Sequence, residues 1–342
     1  MNIRERIKIF ASLGERLFTE KTHVSDEFIS VMEKAESKFS FFTSSNIIRS
    51  LDELTKLLDE EKLLRWTSRY KTFNLSDKKI AVIMAGNLPF VGFHDVLCVL
   101  IAGFRVIIKP SSNDKYLWIW LVGQLQQVSS LMASRIEITY NPIKNFDVVI
   151  ATGSDNSARY FEEYFSSIPH IIRKNRTSVA VLAGNESQDE LNLLADDMFS
   201  YFGLGCRNVS HVFIPGGYDI KELASNLDCP AIPALKRHNS YLHNYEYCRT
   251  MALMNGTPHI DTGYCLWTEN PSLHVPTAVV NYSYYNNLQS LHQHLSDNKD
   301  QIQCIVSDIK LTIPTIPFGS AQSPSLADYA DGIDTMEWLS CL

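Results

Sequence analysis

Cys206 stands in the stretch SYFGLGCRNVSHVFIP (residues 200–215), where a helical pattern stops at two glycines and an apolar run follows. A cysteine thiolate attacks carbonyl carbons, and loops held by a rigid scaffold are where catalytic groups concentrate. A single cysteine is equally well a small apolar residue that closes a turn. The stretch by itself leaves both interpretations open.

Asn87 is a second candidate, at the end of the apolar strand predicted in IAVIMAGNLPFVGF and two residues before Pro89. In an open parallel sheet, ligands bind beyond the carboxyl ends of the strands. A side-chain amide there can donate hydrogen bonds to an oxyanion that develops during a reaction. The alternative role for Asn87 is that of a helix N-cap.

Two further strand ends carry residues suited to phosphate or ribose. Lys109 ends the strand predicted in RVIIKPSS. Gly153 and Ser154 join a predicted strand to a predicted helix in VVIATGSDNSARYF. Free N–H groups in the first turn of a helix suit a pyrophosphate. Lys109 could instead be a surface lysine and Ser154 an ordinary cap. There is no GxGxxG, so the usual Rossmann fingerprint is absent.

These residues must be positioned by regular elements, and the pattern predicts which ones. Residues 1–75 are predicted to be helical, with LDELTKLLDEEKLLRW as one helix whose solvated face is residues 59–62. From Lys78, apolar strand-length runs alternate with helix-length segments, which predicts parallel sheets covered on both faces. We predict a helical segment (1–75), a dinucleotide-binding domain (76–176), a catalytic domain with Cys206 (177–313) and a tail closing on the cofactor domain (314–342).

Composition narrows the function classes. Of 342 residues, 45% are hydrophobic and 20% are charged, and the net charge of -7 argues against a nucleic-acid partner. The first residues, MNIRERIKIF, carry charges where a signal peptide needs an apolar core, and the apolar region 80–109 is interrupted by polar residues. We therefore expect no membrane span. Seven cysteines without a CxxC pair indicate reduced thiols and a cytoplasmic protein, and no metal site is expected.

The motifs in their chain order carry a resemblance. Asn-x-Pro after a strand, then Lys-Pro-Ser, Thr-Gly-Ser, a lone Cys after a glycine-containing turn, and a late Pro-Phe-Gly resemble the aldehyde dehydrogenase superfamily. The segment GNLPFVGFHDVLCVLIAG (residues 86–103) is especially similar to the fatty acyl reductases of bacterial bioluminescence and related acyl-CoA reductases. The resemblance implies an α/β fold of two Rossmann-like parallel-sheet domains with a helical N-terminal segment, and a homo-oligomer.

The resemblance also implies residue roles. Cys206 would be the nucleophile that forms an acyl-thioester, with Asn87 and the backbone N–H of Cys206 holding the oxyanion. Lys109 would contact the adenosine ribose, and Phe318 with Gly319 would help to close the cleft. The full set of implied cofactor contacts is Lys109, Ser111, Ser112, Gly153, Ser154 and Phe318.

Departures from the superfamily pattern refine the chemistry. Ser112 stands where NAD-using members often carry a ribose-binding Glu, which favours NADP(H), with NAD(H) as the alternative. The stretch RKNRTSVAVLAG (173–184) has Arg176, Thr177 and Ser178 where hydrolytic members carry the Glu that activates water. An acyl-enzyme without that base survives to be reduced or exchanged. Glu269 is a candidate for the nicotinamide-ribose carboxylate.

The predicted reaction is reduction of a fatty acyl thioester, an acyl-CoA or acyl-carrier substrate, to an aldehyde with NADPH through a Cys206 acyl-enzyme. One alternative within the superfamily is reduction of an acyl phosphate. The other is a non-reducing acyl-Cys transferase that has lost its cofactor.

Overall fold

The computed structural model describes residues 1–70 and 73–342. The chain forms two compact units. The first contains Met1–Asn175 and Ser325–Leu342, and the second contains Arg176–Pro324. Among the described residues, no helix has both the length and the apolar character needed to cross a membrane.

The first unit begins with four helices: α1 (Ile3–Thr22), α2 (Asp26–Lys38), α3 (Ser44–Leu57) and α4 (Glu60–Thr67). The prediction of one helix across residues 51–66 is wrong, because the chain leaves α3 and restarts at α4. Asp59 has an extended backbone, and its side chain accepts a hydrogen bond from the N–H of Lys62, so it caps α4 instead of lying on a helical face.

A five-stranded parallel sheet follows, built from β1 (Lys79–Ile83), β2 (Arg105–Lys109), β3 (Ile136–Ile138), β4 (Val148–Thr152) and β5 (His170–Arg173). The connecting helices are α5 (Phe93–Ile101), α6 (Lys115–Val128), α7 (Ser130–Ala133) and α8 (Asp155–Tyr164). The strand order is β3-β2-β1-β4-β5, so the direction of winding reverses between β1 and β4. In such sheets that reversal marks the ligand-binding crevice.

The second unit holds a six-stranded sheet in the order β11-β6-β7-β10-β9-β8. Its elements are β6 (Thr177–Val181), α9 (Gln188–Phe199), β7 (Val209–Pro215), α10 (Ile220–Asn226), α11 (Ile232–Leu235), α12 (Asn239–Met254), β8 (Ile260–Asp261), β9 (Leu266–Glu269), β10 (Val279–Tyr285), α13 (Leu288–Asp297) and β11 (Ile302–Val306). All pairs are parallel except β8 with β9 at the edge.

The last residues return to the first unit, where they form α14 (Thr335–Ser340). Buried polar contacts hold this segment. The Arg173 guanidinium lies 2.6 Å from the carboxylate of Asp95 and donates to the hydroxyl of Thr335 at 2.9 Å. The Asp95 charge raises the pKa of Arg173 although burial alone would lower it. A hydrogen bond between two aromatic side chains also holds this segment: the Trp66 indole N–H donates to the hydroxyl of Tyr329 at 2.8 Å.

Candidate active site

A cleft of about 460 Å³ lies in the first unit at the carboxyl ends of β1, β2 and β4, at the point where the strand order reverses. Five of the six predicted cofactor contacts line it, at the ends of two strands, β2 and β4. The lining residues are Ile83, Met84, Ala85, Gly86, Lys109, Pro110, Ser111, Ser112, Tyr140, Thr152, Gly153, Ser154, Ser157 and Phe161. Lys109 is the only charged side chain among these described lining residues.

Two glycines give this cleft its shape. A Cβ at Gly86 would lie 2.1 Å from the hydroxyl oxygen of Ser111, so only glycine permits this close approach of two loops. A Cβ at Gly153 would lie 2.7 Å from the Cβ of Ser157. At both positions a neighbouring serine occupies the space that a Cβ would need, so these glycines allow the loops of the cleft wall to pack closely.

The polar side chains of the cleft have defined partners. The Lys109 ammonium donates to the backbone carbonyl of Asn141 at 2.9 Å, and the residue is half-buried at the wall of the cleft. Ser154 caps α8 by accepting from the N–H of Ser157, which was the alternative role considered for it. Ser154 therefore both caps the helix and lines the cleft, and Ser112 lies exposed at its rim.

Asn87 lies half-buried in the loop between β1 and α5. The alternative that Asn87 is the N-cap of α5 is wrong, because Gly92, with φ of 85°, occupies that position. The loop is fixed from the next βα turn, where the Asn113 amide donates to the carbonyl of Gly86 at 3.0 Å. Asp114 is fully buried behind it, and burial raises the pKa of its carboxyl well above the usual range.

An apolar groove of about 420 Å³ shares Ile83, Lys109 and Phe161 with the cleft. Its other lining residues are Pro142, Ile143, Tyr160, Glu163, Tyr164 and Phe165. Tyr160 and Tyr164 on α8 are 73% and 74% exposed, so two aromatic faces are open to solvent beside the cleft. Flat apolar rings stack favourably on such faces.

In the second unit, Cys206 is exposed on the turn that joins α9 to β7. The helical pattern in the sequence continues through residue 202, up to the first glycine of the turn. The helix α9 ends earlier, at Phe199. Tyr201 and Phe202, with φ of 53° and 60°, take the left-handed conformation and are followed by Gly203 at 71°. A non-glycine residue in that conformation costs about 1–2 kcal/mol, and such strain is retained where surrounding contacts over-determine it.

The stretch 173–184, which has no carboxylate where hydrolytic members carry Glu, contains β6. A residue of β6 contacts the Cys206 turn. The hydroxyl of the fully buried Ser178 donates to the backbone carbonyl of Cys206 at 2.9 Å and lies 3.0 Å from the Cys304 sulfur. A serine hydroxyl at this position fixes the peptide after the nucleophile candidate. It supplies no basic group that would activate a water molecule.

The Pro-Phe-Gly segment is tied to the same turn. Arg207 donates from Nε to the carbonyl of Ala321, and the buried Asp197 accepts from the N–H groups of Gly319 at 2.7 Å and Ala321 at 2.9 Å. Phe318, the sixth predicted cofactor contact, is buried within the second unit.

Glu269 is not brought to Cys206. It pairs in register with Tyr282 of β10, which pairs in turn with Val212 of β7. Glu269 is therefore two strand spacings, about 10 Å, from β7 and level with the middle of that strand. In residues 1–70 and 73–342, no three His, Cys, Asp or Glu side chains gather in a way that could hold a metal ion.

Sequence reasoning missed three supporting residues. Ser178 was noted only for not being a carboxylate, and Asp197 and Asn208 were not identified. A signal for Asp197 existed, because it follows the buried Leu191 and Leu194 at helical spacing and so places a charge on the apolar face of α9. No sequence pattern distinguishes Asn208, whose contacts are made only in the folded turn.

Solved structures with a similar fold include aldehyde dehydrogenases. Aldehyde dehydrogenase 21 of Physcomitrella patens, in complex with succinate, has a TM-score of 0.66 at 12% identity, over 91% of this chain and 74% of that one. An NAD-dependent aldehyde dehydrogenase of Sinorhizobium meliloti gives 0.64 at 12%, over 90% and 70%. A variant of aldehyde dehydrogenase C of Pseudomonas syringae, in complex with NAD+ and octanal, gives 0.63 at 10%, over 91% and 73%. These similarities confirm the predicted aldehyde-dehydrogenase-like fold.

A comparison with curated protein sequences gives no match. The family model described as acyl-CoA reductase (LuxC) matches residues 14–241, about two thirds of the chain. The matched range includes Asn87, Lys109, Gly153 and Cys206, and it ends before Phe318. The chain therefore belongs to the LuxC acyl-CoA reductase family, and it is an oxidoreductase of the fatty acyl reductase type, which forms aldehydes.

Proposed function

We propose that this protein reduces a fatty acyl thioester, carried by coenzyme A or by an acyl-carrier protein, to the aldehyde with NADPH, through an acyl-enzyme on Cys206. The observation that carries the proposal is the Cys206 turn. Cys206 is exposed, its backbone carbonyl accepts from the buried Ser178 hydroxyl, and the peptide before it is fixed by hydrogen bonds to Asn208. Family membership supplies the acyl-CoA reductase class.

The first step is attack of the Cys206 thiolate on the thioester carbonyl. The sulfur–carbon bond forms, and the carbonyl electrons move onto oxygen. In our proposal the Asn87 amide and the backbone N–H of Cys206 stabilise that oxyanion, and each such donor contributes about 3 kcal/mol. Collapse of the tetrahedral species expels the thiolate of the carrier and leaves the acyl group on Cys206.

NADPH, when bound, supplies the hydride that reduces the acyl-enzyme carbonyl. The same two donors stabilise the second oxyanion, a hemithioacetal anion on Cys206. Its collapse breaks the carbon–sulfur bond, releases the aldehyde and returns the Cys206 thiolate. Ser178 offers no base to activate water, so the acyl-enzyme is protected from hydrolysis to a free acid.

The cofactor cleft supports binding of a nicotinamide nucleotide. In our proposal Lys109, Ser111 and Ser112 contact the adenosine ribose and its phosphate, and Gly153 and Ser154 lie against the pyrophosphate or the nicotinamide side of the cofactor. The neighbouring apolar groove with Tyr160 and Tyr164 fits an adenine ring. Phe318 is proposed as a further cofactor contact, on the resemblance alone.

NADPH is favoured over NADH by the charges at the cleft. No carboxylate occurs among the described lining residues. The Lys115 ammonium lies 4.6 Å from the ring centroid of Tyr140, one of those residues, which adds a positive charge next to the lining of the cleft. A 2′-phosphate is stabilised by such a surrounding.

Aldehyde dehydrogenase C, which shares the fold, binds NAD+ and octanal, and this supports a nicotinamide nucleotide with an aliphatic aldehyde here.

The test is single-turnover oxidation of NADPH with a medium- or long-chain acyl-CoA, followed by absorbance. Wild type and a Cys341→Ala control, which removes the other exposed thiol, should oxidise NADPH, and Cys206→Ala should not. Acyl transfer to Cys206 without oxidation of NADPH or NADH would leave a non-reducing acyl transferase. Oxidation with an acyl phosphate but no thioester would indicate an acyl-phosphate reductase.

A homo-oligomer and a cytoplasmic location are part of the same proposal. The oligomer rests on the resemblance, and sedimentation of the purified chain tests it. None of the seven cysteines, all of which lie in the described residues, forms a disulfide, and a reducing compartment favours that state. Fractionation of cells that express the native protein tests the location.

A further inference from the structure

Asn208 makes an unusual set of contacts in the turn before β7. It is 2% exposed, and its side-chain amide donates toward three carbonyl oxygens, of Ser200 at 2.9 Å, Asp197 at 3.1 Å and Met198 at 3.3 Å. Helix C-termini leave such carbonyls without intrahelical partners. One side chain thus satisfies the end of α9 and the start of the left-handed turn that follows it.

The other contacts of Asn208 converge on Gly205, the residue before Cys206. The side-chain oxygen of Asn208 accepts from the N–H of Gly205 at 2.8 Å, and the backbone N–H of Asn208 donates to the carbonyl of Gly205 at 3.0 Å. Both backbone polar groups of Gly205 are therefore bound by a single residue. Asn208 connects the end of α9, the strained turn and the peptide that precedes the thiol.

The direction of the Cys206 N–H follows from this. The Gly205 carbonyl and the Cys206 N–H belong to one planar trans peptide and point in opposite directions, so the backbone bond from Asn208 to that carbonyl sets the direction of the Cys206 N–H. The Asn208 side chain holds the residues that make this bond in place. On the other side of the residue, Ser178 binds the Cys206 carbonyl. The plane of the peptide that would donate to an oxyanion is thus set by buried hydrogen bonds.

We infer that Asn208 is a positioning residue of the acylation step, which holds the left-handed turn so that the Cys206 N–H is aimed at the substrate oxyanion. The inference rests on the proposed function, in which Cys206 is the nucleophile. It makes a specific prediction. Loss of Asn208 should slow reactions that develop an oxyanion, and it should leave other reactions of the same thiol nearly unchanged.

Two probes separate these reactions. With 4-nitrophenyl octanoate, the Cys206 sulfur bonds to the acyl carbon through a tetrahedral oxyanion, 4-nitrophenolate leaves with the ester bond electrons, and the thiol proton goes to solvent. With iodoacetamide, the sulfur displaces iodide from a saturated carbon, and no oxyanion forms. Both rates are read on Cys206 by peptide mass spectrometry, without NADPH.

The variants are Asn208→Ser, which is too short to span the turn, and Asn208→Asp, which keeps the shape but replaces the amide donor by an acceptor. We expect about 10- to 100-fold slower acylation of Cys206, because oxyanion donors act only when aligned. Alkylation should stay close to the wild-type rate. The matched control is Asn244→Ser, which removes an exposed amide that donates to the Ser240 carbonyl.

Folding is monitored in the same samples through Cys265, which is 1% exposed and should stay unlabelled. Unchanged acylation in both variants would overturn the inference. Equal slowing of both reactions, or labelling of Cys265, would overturn it too, because Asn208 would then support the unit in general. Failure of the proposed function is a different result: in wild type, the ester would leave Cys206 unacylated, or acyl-CoA would not oxidise NADPH.

Discussion

The carboxylate of Asp197 lies 2.7 Å from the backbone nitrogen of Gly319, although 122 positions separate the two residues in the chain. Its second oxygen accepts from Ala321, and Arg207, next to Cys206, donates to the carbonyl of Ala321. The end of α9, the thiol-bearing turn and the Pro-Phe-Gly segment are therefore fixed to one another within the second unit. The order of motifs along this chain gains its geometry from contacts of this kind.

Replacement of Asp197 by alanine should destabilise the second unit by about 2–5 kcal/mol, because the buried N–H of Ala321 and the part-buried N–H of Gly319 lose their acceptor. Urea unfolding measures this loss. Asp189→Asn, an exposed change on the same helix, is the control and should cost less than about 0.5 kcal/mol. A similar small cost for Asp197→Ala would show that water replaces the carboxylate at this site.

Replacement of Asp95 by alanine should destabilise the first unit by about 3–5 kcal/mol, because it leaves the Arg173 charge buried without its partner. The exposed pair of Lys174 with Glu162, 2.8 Å apart, is the matched comparison. Glu162→Ala should cost less than about 1 kcal/mol, since solvent screens that pair. Equal shifts of the urea midpoint for the two variants would contradict this assignment.

His211 should make the stability depend on pH. It is fully buried on β7, and one ring nitrogen donates to the carbonyl of Ser272 at 3.1 Å. Burial, with a smaller contribution from the nearby His294, lowers its pKa to about 4. The folded state therefore resists protonation that the unfolded chain accepts at about pH 6.5. Stability from the neutral imidazole is complete above that pH and is lost as the pH falls toward 4.

The loss should reach about 2 kcal/mol by pH 5, relative to a His211→Phe variant that has no group to titrate. Urea unfolding of both proteins at about pH 7.5 and about pH 5 gives this difference. Parallel loss of stability in the two proteins would mean that His211 titrates normally in the folded state.

Replacement of Ser112 by glutamate should reduce the preference for NADPH over NADH by about 10- to 100-fold, because a carboxylate at the rim of the cleft repels a 2′-phosphate. Dissociation constants of both nucleotides, measured by fluorescence, test it without turnover. Ser167→Glu, an exposed change that does not line the cleft, should leave the ratio unaltered. An unaltered ratio in Ser112→Glu would remove Ser112 from the nucleotide contacts.

Much of the fold was accessible from pattern alone. The mainly apolar run VSHVFIP, for example, predicted a strand, and the structure places that strand at Val209–Pro215. The pattern did not reveal α12, because its residues lack a clear apolar stripe and only Tyr241, Tyr245 and Cys248 are buried. The end of α9 was also misplaced. The residues before Tyr201 and Phe202 continue the helical pattern, so the sequence gives no sign that the helix ends there. In the folded unit both rings are buried, and both residues take the left-handed conformation.

The sequence by itself determined that Lys109 and Gly153 meet at one cleft, because each ends a parallel strand and the carboxyl ends of parallel strands gather at one edge of a sheet. It also determined that a cysteine follows a glycine-containing turn. Only the tertiary structure decided what holds that cysteine. Ser178, Asp197 and Asn208 act through hydrogen bonds to backbone groups of other segments, and a backbone partner leaves no signature in side-chain periodicity.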